Sequence, residues 1–150
     1  MQVDLLAGTG YRPLAIPRPQ PTILVFDSGL GGLTVLSRTT QACPGAHIVY
    51  AADDAGFPYG RLSEEALVAR VLAVMERLIA RFHPDLVIIA CNTASTLVLP
   101  ALRARFAIPF VGTVPAIKPA AAVTRSGMIS VLATPGTVAR VYTRELIETY

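Results

Sequence analysis

The sequence predicts a doubly wound α/β domain, a parallel sheet with helices on both faces, and three observations predict it. From Thr22 onward, short apolar runs suited to strands alternate five times with stripes of helical period. The run Leu86-Val87-Ile88-Ile89-Ala90, introduced by Pro84-Asp85, is apolar throughout and rich in β-branched residues, as a central strand buried on both faces must be. The chemically unusual residues fall just after the runs, which in a parallel sheet is one shared edge.

The elements follow in order. Residues 1–21 carry Pro13, Pro17, Pro19 and Pro21 without helical or strand period, and are expected to form a flexible leader; residues 22–150 are expected to form the domain. Strands are expected over 22–26, 47–51, 86–90, 109–111 and 128–133. Helices are expected over 32–41, 95–106, 116–124 and 137–150, the second of them kinked to accommodate Pro100. The clearest helix begins after Ser63, an N-cap with Glu64 and Glu65 in the first turn, and carries the stripe Leu67, Val71, Met75, Leu78, Phe82.

Composition bounds the function. The chain has 150 residues, one domain's worth, and is 53% hydrophobic but only 15% charged. With a mean hydropathy of +0.53, it either packs very compactly or turns one face to a partner. Net charge is +3, and the twelve arginines and one lysine are scattered along helices, so nucleic acid is not an expected partner. No apolar run approaches the roughly 20 residues of a membrane span and no signal-peptide pattern opens the chain, so a cytoplasmic protein is expected. Cys43 and Cys91 show no metal-type spacing, and neither a structural disulfide nor a metal site is expected.

The loops after the five expected strands carry Asp27-Ser28-Gly29, Pro58-Tyr59-Gly60, Cys91-Asn92-Thr93, Thr113 and Thr134-Pro135-Gly136-Thr137. Each loop alone is ordinary turn and capping chemistry. Together they would converge on one crevice, where helix N-termini suit a small anionic ligand. Cys91 is either a small buried hydrophobe or the reactive group of that crevice. Asp27 either caps its loop or orients a ligand.

Several chemistries fail on spacing. Gly29-Leu30-Gly31 lacks the third glycine of a dinucleotide fingerprint, because Thr34 stands in its place, and no Gly-Lys-Ser/Thr follows to make a P-loop. A Cys-x5-Arg phosphatase loop fails at Leu97. His47 and His83 both precede strands and lie at the far edge, so Cys91 has no histidine partner for hydrolysis. Lys118, inside an expected helix, is a poor Schiff-base lysine. Proton transfer remains, with a thiolate as general base favoured by the N-terminus of the helix that follows.

These residues carry a resemblance. Phe26-Asp27-Ser28-Gly29-Leu30-Gly31-Gly32-Leu33-Thr34-Val35-Leu36, Phe57-Pro58-Tyr59-Gly60, Ala90-Cys91-Asn92-Thr93-Ala94-Ser95-Thr96, Val114-Pro115-Ala116-Ile117-Lys118-Pro119-Ala120 and Ala133-Thr134-Pro135-Gly136-Thr137 resemble the cofactor-independent aspartate/glutamate racemase family. Within it the chain is similar to the N-terminal half of the glutamate racemases. The resemblance implies a two-domain α/β isomerase that interconverts L- and D-glutamate without a cofactor and supplies D-glutamate for peptidoglycan. It implies Cys91 as one of two catalytic cysteines, with Asp27 assisting. It also implies a glutamate site lined by Asp27, Ser28, Tyr59, Gly60, Asn92 and Thr93, with Thr134 and Thr137 as further candidates.

The resemblance further implies a second cysteine, in a Gly-Cys-Thr-His segment of a C-terminal domain, which residues 1–150 do not contain. Cys43 does not replace it, because it follows the first helix at the opposite edge. The isolated chain is therefore expected to racemise little or not at all, with glutamate and a C-terminal racemase domain as partners and a homodimer left open. A racemase for aspartate or another amino acid, and an inactive module binding an acidic ligand or a partner chain, stay as alternatives.

Overall fold

The computed structural model describes residues 20–150; the expected leader falls almost wholly on residues 1–19, which lie outside the described residues. Its last residue, Pro21, is tied to the sheet, its carbonyl accepting from His47 N at 2.9 Å. Four parallel strands, β1 (Thr22–Asp27), β2 (His47–Ala52), β3 (Leu86–Ile89) and β4 (Phe110–Gly112), lie in the order β2-β1-β3-β4. β1 and β3 occupy the centre, and β1 is correspondingly buried from Ile23 to Asp27.

Alternation along β1 divides the core in two, because successive side chains point to opposite faces. Leu24 and Phe26 join Val87, Ile89 and Phe110 on one face, which α2 (Glu64–Phe82) and α3 (Asn92–Arg105) cover with Leu67, Val71, Met75, Val98 and Leu102. Ile23 and Val25 face the other way, against Val35 and Leu36 of α1 (Leu33–Ala42). The sheet thus carries helices on both faces, as the sequence predicts. The α2 boundaries also follow the sequence: Ser63 Oγ accepts from Ala66 N at 3.2 Å, and the helix ends at His83 in the left-handed region, φ 44°.

Three expectations need correction. Residues 128–133 form no strand, so the described sheet has four strands and not five. Gly127 turns the chain with φ 72°, and the Met128 carbonyl is taken by Thr124 Oγ1 at 3.1 Å and Ser126 Oγ at 3.4 Å instead of by a β4 neighbour. The helix expected over 116–124 is α4 (Ile117–Val123), but the one expected over 137–150 is two, α5 (Pro135–Ala139) and α6 (Val141–Thr149), because Arg140 adopts extended geometry, φ −64° and ψ 139°, between them. α3 begins at Asn92, three residues earlier than expected, which makes Cys91 its N-cap residue, and it continues through Pro100 to Arg105.

Candidate active site

The register of the central strands brings two site residues together. β1 and β3 pair as far as Phe26↔Ile89, and Ala90 N donates to the Phe26 carbonyl at 2.7 Å. Two residues beyond that last pair stand Ser28 and Cys91, and their side chains meet, Oγ to Sγ 3.4 Å, both buried. The Cys91 side chain does not cap α3, so it leaves the first-turn N–H groups of that helix free to favour an anion beside them.

Asp27 is 5% exposed and sits in a nest of backbone donors. Its Oδ2 accepts from Gly29 N at 3.2 Å and Gly32 N at 2.9 Å. Gly32 permits this approach: a Cβ there would lie 2.7 Å from Asp27 Cβ and 3.0 Å from Ala90 Cβ. Tyr50, on β2, donates to the Gly29 carbonyl at 2.8 Å and has its hydroxyl 3.5 Å from Asp27 Oδ2. Burial, and then the Asp27 carboxyl, push the Tyr50 phenol up, so it remains a donor here.

A cavity of about 230 Å³ opens beside these groups, and Asp27, Ser28, Tyr59, Gly60, Thr93 and Thr134 all contribute to its wall. Thr93 and Thr134 approach through their hydroxyls at 3.3 Å, and Thr134 continues to Thr137 Oγ1 at 3.0 Å. Asn92 and Thr137 belong instead to a neighbouring cavity of about 410 Å³ between the 114–120 and 129–133 segments. The expected site residues therefore gather on one edge but not in one hollow: Cys91 lines neither cavity and reaches the smaller one only through its contact with Ser28, and the others divide between the two. Cys43 and His47 lie elsewhere, exposed at the opposite edge, and Lys118 is exposed over the Tyr150 ring.

The sequence reading missed a buried polar group behind the cavity. Asp53 follows β2 and is 9% exposed; its Oδ2 accepts from the Tyr59 hydroxyl and from Arg70 Nε, each at 2.5 Å, and its Oδ1 accepts from Arg70 Nη2 at 2.7 Å. Burial pushes the Asp53 carboxyl up, but the bonds from Arg70 and Tyr59 and the guanidinium charge outweigh it, and the group lies below the usual carboxylate range. Burial, then the bond to Asp53, push the Tyr59 phenol far up, so its proton stays in place. Asp53 had a readable signal, being at the end of an expected strand on the site edge. Arg70, on the polar side of α2, had none.

Among the described residues, no group of three or more His, Cys, Asp or Glu is arranged to hold a metal ion, and no helix is long and apolar enough to cross a membrane. Chemically, the site offers a buried thiol beside a hydroxyl, a fixed carboxyl, and N–H and O–H donors around a small hollow.

Residues 23–150 match the family model for Asp/Glu/Hydantoin racemase. A glutamate racemase of Brucella ovis is 59% identical over 133 residues, covering 88% of this chain and 48% of its own length. Escherichia coli glutamate racemase, solved with L-glutamate and the activator UDP-MurNAc-ala, superposes with a TM-score of 0.84 at 52% identity, over 88% of this chain and 50% of that one. The glutamate racemase of Aquifex pyrophilus gives 0.77 at 36% identity, over 85% and 51%. The chain spans about half the length of the relatives it matches. Residue by residue and strand by strand, it belongs to the Asp/Glu/hydantoin racemase family.

Proposed function

We propose that this chain contributes one half of the active site of a glutamate racemase, with Cys91 as the base that serves one face of the substrate α-carbon. The Cys91 thiolate takes the α-proton, the electron pair is left on the α-carbon and its carboxyl group, and an acid on the opposite face returns a proton with inverted configuration. That acid belongs to the rest of the enzyme, the part corresponding to the half of the relatives' length not matched here. Asp27, Ser28, Tyr59, Gly60, Asn92 and Thr93 hold the glutamate, and Thr134 and Thr137 extend the donor wall. No cofactor takes part.

One observation carries this: the buried Ser28–Cys91 contact at 3.4 Å, on the carboxyl edge of the central strands and beside a cavity that Asp27 and Thr93 share. The exposure of Val123 at 77%, Met128 at 78% and Leu132 at 102% supports the second half of the proposal, since a further domain would bury apolar side chains of this kind. The enzyme acts in the cytoplasm and supplies D-glutamate for peptidoglycan.

The test is solvent deuterium incorporation at the α-carbon of L- and D-glutamate by the natural full-length protein and its Cys91→Ala variant. Exchange of both enantiomers by the parent, with loss of about 10²–10⁴-fold in the folded variant, is expected. A parent that is folded yet exchanges neither enantiomer would sink the assignment.

A further inference from the structure

Arg70 lies on α2, outside the cavity, yet its guanidinium is locked in place from two sides. One is the two-pronged pair with Asp53, whose carboxylate also receives the Tyr59 hydroxyl, so that three donors fill it. The other is Gly56: a Cβ there would overlap Arg70 Nε and stand 2.8 Å from Asp53 Oδ2. The short turn Asp54–Gly56, closed by Gly56 N to the Asp53 carbonyl at 3.0 Å, therefore wraps around the guanidinium and needs a residue without a side chain. Asp53 is in turn fixed to the site strand, its N–H donating to the Asp27 carbonyl at 2.9 Å.

Tyr59 heads the turn Tyr59–Arg61, which with Phe57 and Pro58 forms one wall of the 230 Å³ cavity. Tyr59 is only 2% exposed and its hydroxyl is committed to Asp53, so the ligand meets this wall chiefly through its backbone and through Gly60. The position of that wall relative to Asp27 is set by Asp53, and Asp53 is oriented by Arg70.

We propose that Arg70 is a positioning residue for the reaction assigned above: acting through Asp53, it holds the 57–60 wall at the distance from Asp27 and Ser28 that fits the substrate. This rests on the glutamate racemase reading. Arg70 touches no reacting atom, so its loss should weaken substrate binding far more than it slows the chemistry. Lysine retains the charge but cannot supply two parallel N–H donors, so it should restore only part of the affinity.

The experiment measures KM and kcat for glutamate, in both directions, in the natural full-length protein and its Arg70→Met, Arg70→Lys, Gly56→Ala and Arg77→Met variants. Arg70→Met and Gly56→Ala are expected to raise KM by about ten- to a hundredfold with kcat within about threefold of the parent. Arg70→Lys should fall between, and Arg77→Met, an exposed α2 control, should leave both constants unchanged. An active parent whose KM is unmoved in Arg70→Met and Gly56→Ala overturns the proposal. So does a fall in kcat at unchanged KM, or a loss of folded protein in which Arg70→Lys behaves as Arg70→Met does. A folded parent that does not racemise glutamate overturns the function itself, an outcome separate from a parent that turns over normally beside indifferent variants.

Discussion

Gly32→Ala is expected to damage stability and turnover together. The added Cβ meets Asp27 Cβ at 2.7 Å and Ala90 Cβ at 3.0 Å, and both belong to backbone-anchored positions at the ends of central strands, so neither can rotate aside. Reaching ordinary contact at 3.4 Å means opening the loop by about 0.7 Å. Overpacking of this kind costs about 1–3 kcal/mol. The Gly32 N–H bond to Asp27 Oδ2, now 2.9 Å, is stretched or lost at about 1 kcal/mol more. The sum of about 2–4 kcal/mol is a large part of a typical stability of about 5–15 kcal/mol. Because a misplacement of about 1 Å can cost about 10²-fold in rate, turnover should fall at least about tenfold. The assay compares urea unfolding and α-proton exchange for Gly32→Ala, Gly31→Ala and Gly45→Ala in the natural full-length protein. A Cβ at Gly31 finds only Asp27 Oδ2 at 3.9 Å, and one at Gly45 finds nothing within 4 Å, so both should be nearly silent. If Gly32→Ala matches these two in unfolding midpoint and exchange rate, the account of Asp27 is wrong.

Three further outcomes are expected. Ser28→Ala removes the hydroxyl 3.4 Å from Cys91 Sγ and should slow exchange by about fivefold, the rate equivalent of a hydrogen bond of about 1 kcal/mol, while circular dichroism remains unchanged. The folded Asp53 carboxyl is depressed, so its stabilisation is fully present above the unfolded value of about 3.9 and is lost as pH falls through the lower folded value. The folded Tyr59 phenol is raised, so its contribution is present below about pH 10 and drains away above it. Urea midpoints across pH should show both limbs; Asp53→Asn should flatten the acid one, and Tyr59→Phe should reduce the alkaline one, to which Tyr50 also contributes. Ser63→Ala should cost about 1 kcal/mol in unfolding free energy with no change in KM, since Ser63 Oγ caps α2 and Ser63 is not part of the cavity wall.

What the sequence made legible follows from how local its signals are. The uninterrupted apolar run before Cys91 and the i, i+4 stripe from Leu67 to Phe82 each encode an element within a dozen or so residues, and β3 and α2 are found where those patterns lie. Residues 128–133 carry a comparable apolar run, but a strand also needs a neighbour, and the polar groups at Met128 bond to Thr124 and Ser126 instead. The break at Arg140 was illegible because no Gly or Pro marks it; the Thr143 Oγ1 bond to the Thr137 carbonyl at 2.7 Å spans it locally, and the residue's ion pair with Glu64 of α2 arises only after distant segments meet. For the site, Asp27, Ser28 and Cys91 were readable as strand-end positions from topology alone, whereas Thr134 and Thr137 were expected after a strand that does not form. The support behind it, Asp53 with Arg70, joins positions on different elements through side chains, and no spacing rule encodes that.

The meeting of Ser28 and Cys91 has a ruler of its own. Their separation continues the β1–β3 ladder, whose strand spacing of about 4.8 Å is a property of the peptide backbone. Their sequence separation of 63 has no say in it. The segments joining α1 to β2, or α2 to β3, can therefore lengthen or shorten among homologues without moving hydroxyl from thiol. Deleting one residue within β1 is a different matter: a register slip would set Asp27 or Gly29 opposite the sulfur and turn Leu24 and Phe26 to the wrong face. Chemistry and core are thus written in the same frame, and a shift that spoils one spoils the other.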